Sequence, residues 1–412
     1  MDVFWVILAL VLGLAGAAYV YLEQKKVEDE KKKQLLKKKA AEMEAVHLYK
    51  NQKKPKAKGK KVDITAEMKK HALESSMLDN TTHPEHPSML HVFKGHKYGL
   101  TAVAYSPNGR FIATSSSDRT IRVYLRDTLQ DKVPRVHQIT LEYDHATALT
   151  FSSDGRTLVA ATENGTVKLY QKLKVKPELV SEFSIEHKTD VHSVLMNDIG
   201  DWATIITCAG ESDTELKFWN SQGTLLQTVN TNQVINYHLV GSKDNRYISV
   251  AGYTPEVKIF EITREKNGAF KKVHKIMTLQ GHRTGVLDLA FDGSDKIPVN
   301  RVVTISKDAS VRLWNINVRY NVQEDPKVLK TFNASGDVPF QAVDYSPNGK
   351  LLALVRDRSL VFVRTFDNQE IEVIEDAIDD VIKRVIFDPD GKEVVAYGKH
   401  AKYAKVFKAP NA

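Results

Sequence analysis

One pattern occurs seven times in the chain, and this repetition limits the possible folds more than any other feature. In the clearest copy, Gly281-His282 is followed by an alternating apolar run at Val286–Phe291, a turn at Asp292-Gly293 and a last stretch that ends at Trp314. Alternation with a period of two residues predicts half-buried β-strands, and Asp-Gly pairs favour the turns between them. One copy is too short to bury its own apolar side chains, so the copies must pack against one another.

Each of the seven copies ends in an aromatic residue, and consecutive aromatic residues lie 41 to 54 positions apart. The glycine-histidine pair, short strands, aspartate turn and terminal aromatic resemble the WD40 repeat, which forms one blade of a β-propeller. The resemblance implies an all-β, seven-bladed WD40 β-propeller over residues 88–409. The terminal aromatic residues are Tyr124, Tyr170, Trp219, Phe260, Trp314, Phe362 and Phe407.

Two segments outside the common pattern have predicted places in this ring. Lys266-Asn267-Gly268 interrupts a run of β-prone residues, which predicts a hairpin tip that lengthens the outer strands of the fourth blade. Met89–Phe93 precedes the first complete copy, and the last copy ends at Phe407 without a fourth strand. We therefore expect Met89–Phe93 to supply the outer strand of the last blade and to close the ring, which leaves few exposed sheet edges.

The first 23 residues predict a membrane anchor. Residues 3–22 contain no charged side chain, and a helix of about 20 residues spans roughly 30 Å, the thickness of a bilayer core. Trp5 and Tyr21 lie near the two ends, where interfacial aromatic residues are expected. A cleavable signal peptide is the alternative, but it requires a positive N-terminal region, and Asp2 precedes the apolar run. We expect a transmembrane signal anchor over residues 1–23.

Lysines set the expected orientation of this anchor. They are abundant just after the apolar segment and absent before it, so the positive-inside rule places the rest of the chain in the cytosol. The sequons at Asn80, Asn164 and Asn333 should then carry no glycan. The lysines that follow the segment most closely are Lys25, Lys26, Lys31, Lys32 and Lys33.

Residues 24–87 form a basic stalk and linker. Residues 24–71 hold 17 Lys and 7 acidic residues, so the stalk accounts for the formal net charge of +8. The repeats themselves have no charge excess of the kind that marks a nucleic-acid-binding domain. A solvated helical or disordered spacer, contact with anionic lipid headgroups, and contact with RNA or ribosomes all remain open for the stalk.

No combination of side chains predicts catalysis. His96 with Ser116 and Asp118 suggests a hydrogen-bond network in which the histidine bridges the aspartate and the serine. We interpret it as structural, because the set recurs with the repeat and no G-x-S-x-G elbow is present. We expect a protein that is not an enzyme, with no cofactor, metal or small-molecule substrate, and with Cys208 as a buried, inert thiol. The fifth copy completes the network with His282, Ser306, Asp308 and Trp314.

Loops are therefore the predicted binding elements. Residues that follow the histidine pairs should lie on one rim of the ring, and the fourth copy replaces its histidine pair by a polar cluster. Loops that depart from a repeat pattern are common binding surfaces. The predicted partner-binding residues are Lys97, Tyr98, Thr147, Asn232, Gln233, Arg283 and Thr284.

Some segments are more specific than a general WD40 pattern. Glu142–Thr147, Asn230–Asn236, Gly252–Glu261 and Gln323–Pro326, together with the apolar and basic N-terminal layout, resemble the transducin beta-like family of membrane-anchored WD40 proteins. The resemblance implies a single-pass protein of the endoplasmic reticulum (ER) membrane with a cytosolic propeller. It also implies a scaffold role around the ER-stress kinase that phosphorylates a translation initiation factor, as part of the unfolded protein response. It implies no catalytic residue.

Overall fold

The computed structural model describes residues 86–131, 133–293, 298–333 and 338–411. Within these ranges the chain forms 28 β-strands in seven four-stranded antiparallel sheets, and two short 3-10 helices, Arg126–Thr128 and Tyr320–Val322. No helix in the described ranges is long and apolar enough to cross a bilayer. The predicted anchor and almost all of the stalk lie outside the described residues.

The first three blades follow chain order, with each strand pairing with the next. Their strands are β2 Leu100–Tyr105, β3 Phe111–Ser116, β4 Thr120–Leu125 and β5 Val136–Thr140 in blade one; β6 Ala146–Phe151, β7 Leu158–Thr162, β8 Thr166–Gln171 and β9 Glu178–Ser184 in blade two; and β10 Val191–Ile199, β11 Trp202–Ala209, β12 Glu215–Asn220 and β13 Leu225–Asn230 in blade three.

Blades four to six repeat this order. Their strands are β14 Asn236–Gly241, β15 Tyr247–Gly252, β16 Val257–Arg264 and β17 Phe270–Leu279 in blade four; β18 Val286–Phe291, β19 Arg301–Ser306, β20 Ser310–Asn315 and β21 Lys327–Asn333 in blade five; and β22 Ala342–Tyr345, β23 Leu351–Arg356, β24 Ser359–Arg364 and β25 Glu370–Ile374 in blade six.

Blade seven closes the ring as the sequence predicts. It contains β26 Ile382–Phe387, β27 Glu393–Gly398 and β28 Ala404–Lys408, and its outer strand is β1 Met89–Phe93, which pairs antiparallel with β28. The predicted hairpin tip of blade four is also confirmed, because β16 and β17 extend on both sides of Lys266-Asn267-Gly268 and stay paired up to Arg264 and Phe270.

Apolar clusters between neighbouring blades form the core. Seven such clusters are present in the described residues, one for each pair of adjacent blades around the ring. All seven terminal aromatic residues are buried, and burying a large apolar side chain contributes about 1.5–3 kcal/mol. Cys208 is fully buried, and burial raises the pKa of its thiol, so the thiolate is disfavoured as predicted.

The first strands of the blades lie next to one another at the inner side of the ring. In six of the seven blades, the pairing between the first and second strands has a β-bulge at the second residue of the first strand. In blade one, for example, the register shifts between Leu100 and Ala102, so that Thr101 lies at the bulge. A residue at such a bulge is not aligned with a cross-strand partner. Its side chain is therefore available to reach the next blade.

Candidate functional site

The face that carries the loops into the first strands also carries the turns between second and third strands; we call it the top face. In blade one His96 joins the two kinds of loop. Its Nδ1 lies 3.1 Å from Asp118 Oδ2, and its Nε2 lies 2.8 Å from Thr114 Oγ1. In blade five His282 Nε2 lies 2.7 Å from Thr304 Oγ1, and its Nδ1 lies 3.4 Å from Asp308 Oδ2. Each histidine thus fixes the turn to a strand beneath it.

The partner of these histidines is a threonine, so the assignment of that role to Ser116 and Ser306 was wrong. Ser116 Oγ donates to the Tyr98 carbonyl at 3.0 Å and accepts from the Asp118 amide at 3.1 Å. Ser306 Oγ donates to the Gly285 carbonyl at 3.0 Å. The serines therefore fix the loop backbone. The threonine lies two residues before the serine, on the same side of the strand. Its recurrence in the blades could have identified it as the histidine partner from the sequence.

The threonine hydroxyl of this network is not accessible to a substrate. Thr304 is fully buried, and its hydroxyl also accepts a hydrogen bond from Trp314 Nε1 at 2.8 Å. Burial lowers the pKa of His282. Burial works in the opposite direction on Asp308, but hydrogen bonds from the Arg283 amide and from Ser310 hold its pKa at about 2. A buried hydroxyl with both neighbours satisfied has no route to an acyl or phosphoryl substrate.

Blade three contains a complete network that the sequence reasoning missed. His187 lies 2.9 Å from Asp213 Oδ2 and 2.8 Å from Thr207 Oγ1, which also accepts from Trp219 Nε1 at 3.0 Å. The signal was present in the sequence, since His187 and Trp219 delimit the third copy. The absence of a glycine before the histidine hid it.

Blade four replaces the network with an amide. Gln233 Oε1 accepts from the Thr254 amide at 3.1 Å and from its hydroxyl at 2.6 Å, and Gln233 Nε2 donates to the Glu256 carbonyl at 3.3 Å. Gln233 is 6% exposed and is therefore a structural residue within the blade. Its neighbour Asn232 is exposed, with a positive φ of 51° that suits an asparagine. Of this predicted binding pair, only Asn232 faces solvent.

The other predicted partner-binding residues divide in the same way. Lys97, Tyr98, Arg283 and Thr284 are exposed on top-face loops. Thr147 lies instead on β6, where its hydroxyl donates to the Val191 carbonyl of blade three at 2.5 Å. Its position two residues after His145 misled the sequence reasoning, because His145, unlike His96, lies outside the repeat network.

Thr147 belongs to a series that joins neighbouring blades. The second residue of a first strand bonds to a backbone carbonyl in the first strand of the next blade; we call these contacts rim hydrogen bonds. Thr101 bonds to the Ala146 carbonyl at 2.5 Å. The other members are Thr147 with Val191, His192 with Asn236 at 3.0 Å, and Lys383 with Thr101 at 2.8 Å.

Rim hydrogen bonds join blades seven, one, two, three and four, which we call the hydrogen-bonded arc. His192 is neutral here, since burial lowers its pKa to about 4, and its Nδ1 lies 2.9 Å from the Ser193 hydroxyl. Desolvation and the charges of Arg384 and Lys399 lower the pKa of Lys383 to about 8. The corresponding positions of blades four, five and six hold Tyr237, Leu287 and Gln341, for which no such bond to another described residue is found.

A charged network joins blades four to seven, which we call the charged arc, so blades four and seven belong to both arcs. His238 Nδ1 lies 2.7 Å from Asp288 Oδ1, and Arg384 Nη1 lies 3.1 Å from the same oxygen. Asp288 Oδ2 accepts from the Val343 amide of blade six at 3.1 Å. Asp344 continues the arc, because its Oδ2 accepts from the Phe387 amide of blade seven at 2.6 Å.

Room for this network comes from small side chains. His238, Asp288 and Arg384 occupy the third position of their first strands, and the same position holds Ala102 and Ala148 in blades one and two. An arginine on blade seven can therefore reach an aspartate on blade five across the inside of the ring. No local sequence signal links these residues, since each lies on a strand of ordinary appearance.

One group of described residues has the composition of a metal site. Asp144, His145 and Glu163 bring one ligand atom each within 4.8 Å of the others in blade two. His145 Nδ1 lies 3.1 Å from Glu163 Oε2, so each of these two groups already has a partner. Asp144 Oδ1 accepts from the His145 and Asn164 amides at 2.7 and 3.3 Å. The group therefore fixes the loop of a blade that lacks the His-Asp-Thr network.

The fold and the top-face networks define the class: this is a WD40-repeat β-propeller, a scaffold for protein interactions. The WD40 family model (WD domain, G-beta repeat) matches residues 87–124, 137–171 and 273–315. These matches fall in or beside blades one, two and five, and the other blades have diverged further. The comparisons indicate no catalytic family.

The relatives give the family. Transducin beta-like protein 2 of Mus musculus is 30% identical over 77% of this chain and 72% of its own length, and that of Homo sapiens is 30% identical over 77% and 71%. Protein FIZZY-RELATED 1 of Arabidopsis thaliana is 26% identical over 55% of this chain and 44% of its own length. The chain belongs to the transducin beta-like protein 2 family, which confirms the resemblance inferred from Asn230–Asn236 and Gly252–Glu261.

Proposed function

We propose that this protein is a non-enzymatic scaffold that recruits cytosolic partners to the surface of the ER membrane, including partners in ER-stress kinase signalling. The observation that carries the proposal is the composition of the top face. Tyr98, Tyr143 and Tyr253 are 61%, 86% and 52% exposed there. Aromatic side chains are enriched in protein interfaces, because they bury a large area with few rotatable bonds.

Membrane attachment is the first part to test. Removal of residues 1–23 should release the protein from membranes that otherwise retain it through carbonate extraction. Asn164 and Asn333 are exposed on the propeller, so a lumenal domain would offer both sequons to the glycosylation machinery. Glycan-free Asn164 and Asn333 support the cytosolic orientation, and a shift in mass after glycosidase treatment would overturn it.

Partner recruitment is the second part. Proximity labelling from the propeller should mark a set of cytosolic proteins that includes the ER-stress kinase, and the set should change when ER stress is induced. Combined alanine substitution of Tyr98, Tyr143 and Tyr253 should reduce the labelling while thermal unfolding stays unchanged. Labelling identical to that of the wild type would contradict the scaffold proposal.

The stalk carries the alternative, a link to RNA or ribosomes through its 17 lysines. Phosphate contacts weaken steeply as salt rises. If the stalk binds RNA, deletion of residues 24–71 should abolish salt-sensitive co-sedimentation with polysomes. Unchanged sedimentation would leave the scaffold as the better account.

A further inference from the structure

On the top face, Lys307 of blade five lies near two aromatic rings of blade four, at a junction between blades for which no rim hydrogen bond is found among the described residues. Its Nζ is 5.2 Å from the centre of the Tyr237 ring, 5.7 Å from the centre of the Tyr253 ring and 3.1 Å from Tyr237 Oη. The two distances to the ring centres fall within the range of a cation–π interaction. The ammonium group is therefore held in one place although its residue is exposed.

Nothing in the described part of the chain neutralises this ammonium. Among the described residues, no carboxylate forms an ion pair with Lys307 or with the nearby exposed Arg283. The carboxylate of Asp308 is engaged elsewhere, because it accepts from the Arg283 amide at 2.9 Å and from Ser310. The result is an exposed cation with a fixed position and no anionic partner.

Apolar surface adjoins this cation. Tyr253 is 52% exposed and Val234, on the loop into blade four, is 60% exposed. The backbone of Tyr253 lies against Gly285, where an added Cβ would approach the Tyr253 carbonyl to 2.6 Å, so this backbone cannot move toward blade five. A partner would therefore meet an exposed aromatic ring on a fixed backbone, next to the Lys307 ammonium group.

We infer that Tyr237, Tyr253 and Lys307, with Arg283 at the edge, form a docking surface for an acidic protein segment that carries an apolar side chain next to a carboxylate. The carboxylate pairs with Lys307 Nζ, and the apolar side chain covers the exposed Tyr253 ring. A cationic segment fits less well, since it must displace Lys307 from both rings before it can bind. This inference rests on the proposed scaffold function and gives it a location and a partner chemistry.

An exposed lysine of blade three provides the control. Lys188 lies on a top-face loop directly after His187, and no ion pair or cation–π contact of Lys188 is found among the described residues. Lys188→Met therefore removes the same charge from the same face without touching the proposed surface.

The test uses the full chain and a labelled ten-residue peptide that alternates glutamate with phenylalanine and leucine. Two further peptides carry glutamine or lysine in place of glutamate. Fluorescence anisotropy should show the acidic peptide binding at least about fivefold more tightly than the glutamine peptide, with the difference shrinking at high salt. Lys307→Met should remove most of that difference, and Lys188→Met should leave it intact.

Three outcomes overturn the inference: equal binding of the acidic and glutamine peptides, unchanged binding by the Lys307→Met protein, or tighter binding of the lysine peptide. Tyr253→Phe keeps the ring and should bind normally, whereas Tyr253→Ala should weaken binding; thermal melting of each variant excludes misfolding. Proximity labelling separates this inference from the scaffold proposal. If substitution of Lys97 and Tyr98 causes partner loss but substitution of Lys307 does not, the proposed docking surface is wrong and the scaffold function is still supported.

Discussion

The inner side of the ring is held together by two kinds of contact, and they occupy different arcs. In the hydrogen-bonded arc, side chains such as Thr101 and Thr147 bond to backbone carbonyls of the next blade. In the charged arc, Asp288 gathers His238, Arg384 and a backbone amide from three other blades. In the hydrogen-bonded arc, the stability of the contacts between blades is shared among several independent hydrogen bonds. In the charged arc, this stability depends on one carboxylate, which makes the arc vulnerable to a single substitution and to acid.

Asp288→Asn should have the largest effect. Asp288 is buried, and removing its charge leaves Arg384 without its anion while the Val343 amide faces a poorer acceptor. Breaking one partner of a buried pair costs about 3–5 kcal/mol, and the partial exposure of Arg384 favours the lower end of that range. Urea unfolding of the propeller should report a loss of about 3 kcal/mol. A loss below about 1 kcal/mol would show that the charged arc does not depend on this carboxylate.

Acid should weaken the charged arc. Burial and the Arg384 charge lower the pKa of His238, so the unfolded chain takes up a proton below about pH 6.5 that the folded chain refuses. Although burial opposes it, the charges of Arg384 and His238 also hold the pKa of Asp288 below its usual value. Both groups contribute stability that is present at neutral pH and lost as the pH falls through the folded pKa.

His238→Gln isolates the histidine part of this effect. Between pH 6.5 and pH 5, the free energy of unfolding of the wild type should fall more steeply than that of the variant, by up to about 1.4 kcal/mol per pH unit. Other histidines with lowered pKa values give the remaining slope in both proteins, among them His96 and His187 of the repeat network and His192 of the hydrogen-bonded arc. Parallel curves would mean that His238 titrates normally in the folded protein.

Thr147→Val should cost less and should not depend on pH. The substitution keeps the shape of the side chain and removes the hydroxyl that donates to Val191. Loss of one such bond costs about 1 kcal/mol. The destabilisation should be the same at pH 7.5 and pH 5.5. A cost that changes with pH would show that the two arcs are coupled.

Leu287→Thr should have the smallest effect, because it places the side chain of the hydrogen-bonded arc into the charged arc. Leu287 packs partly against the apolar cluster between blades five and six, so the variant loses some apolar contact and gains a hydroxyl at a bulge. Compared with Leu287→Ala, it should be more stable by about 1 kcal/mol if a rim hydrogen bond forms. Equal stabilities would show that the backbone of blade six is out of reach.

The strands, turns and terminal aromatic residues of each blade could be predicted from sequence, and the side-chain connections across the ring could not. The closing strand Met89–Phe93, the hairpin at Asn267-Gly268 and the terminal aromatics all follow from local patterns. The histidine partner was misassigned because Thr114 and Ser116 lie on the same side of one strand, where alternation does not distinguish them. His238 and Asp288 are 50 positions apart, and Arg384 is 146 positions from His238. Only the closed ring brings them together.

The pairing of Met89 with Phe407 also determines when the ring can close during synthesis. The ribosome makes β1 first and its neighbour β28 last, about 300 residues later, and translation proceeds at about 5–20 residues per second. For tens of seconds the chain therefore carries an open strand and an unfinished arc of blades. During this interval exposed strand edges can pair with other chains. A cell that lacks chaperones for nascent chains should lose this protein to aggregation while it is being made, even though the finished ring is stable.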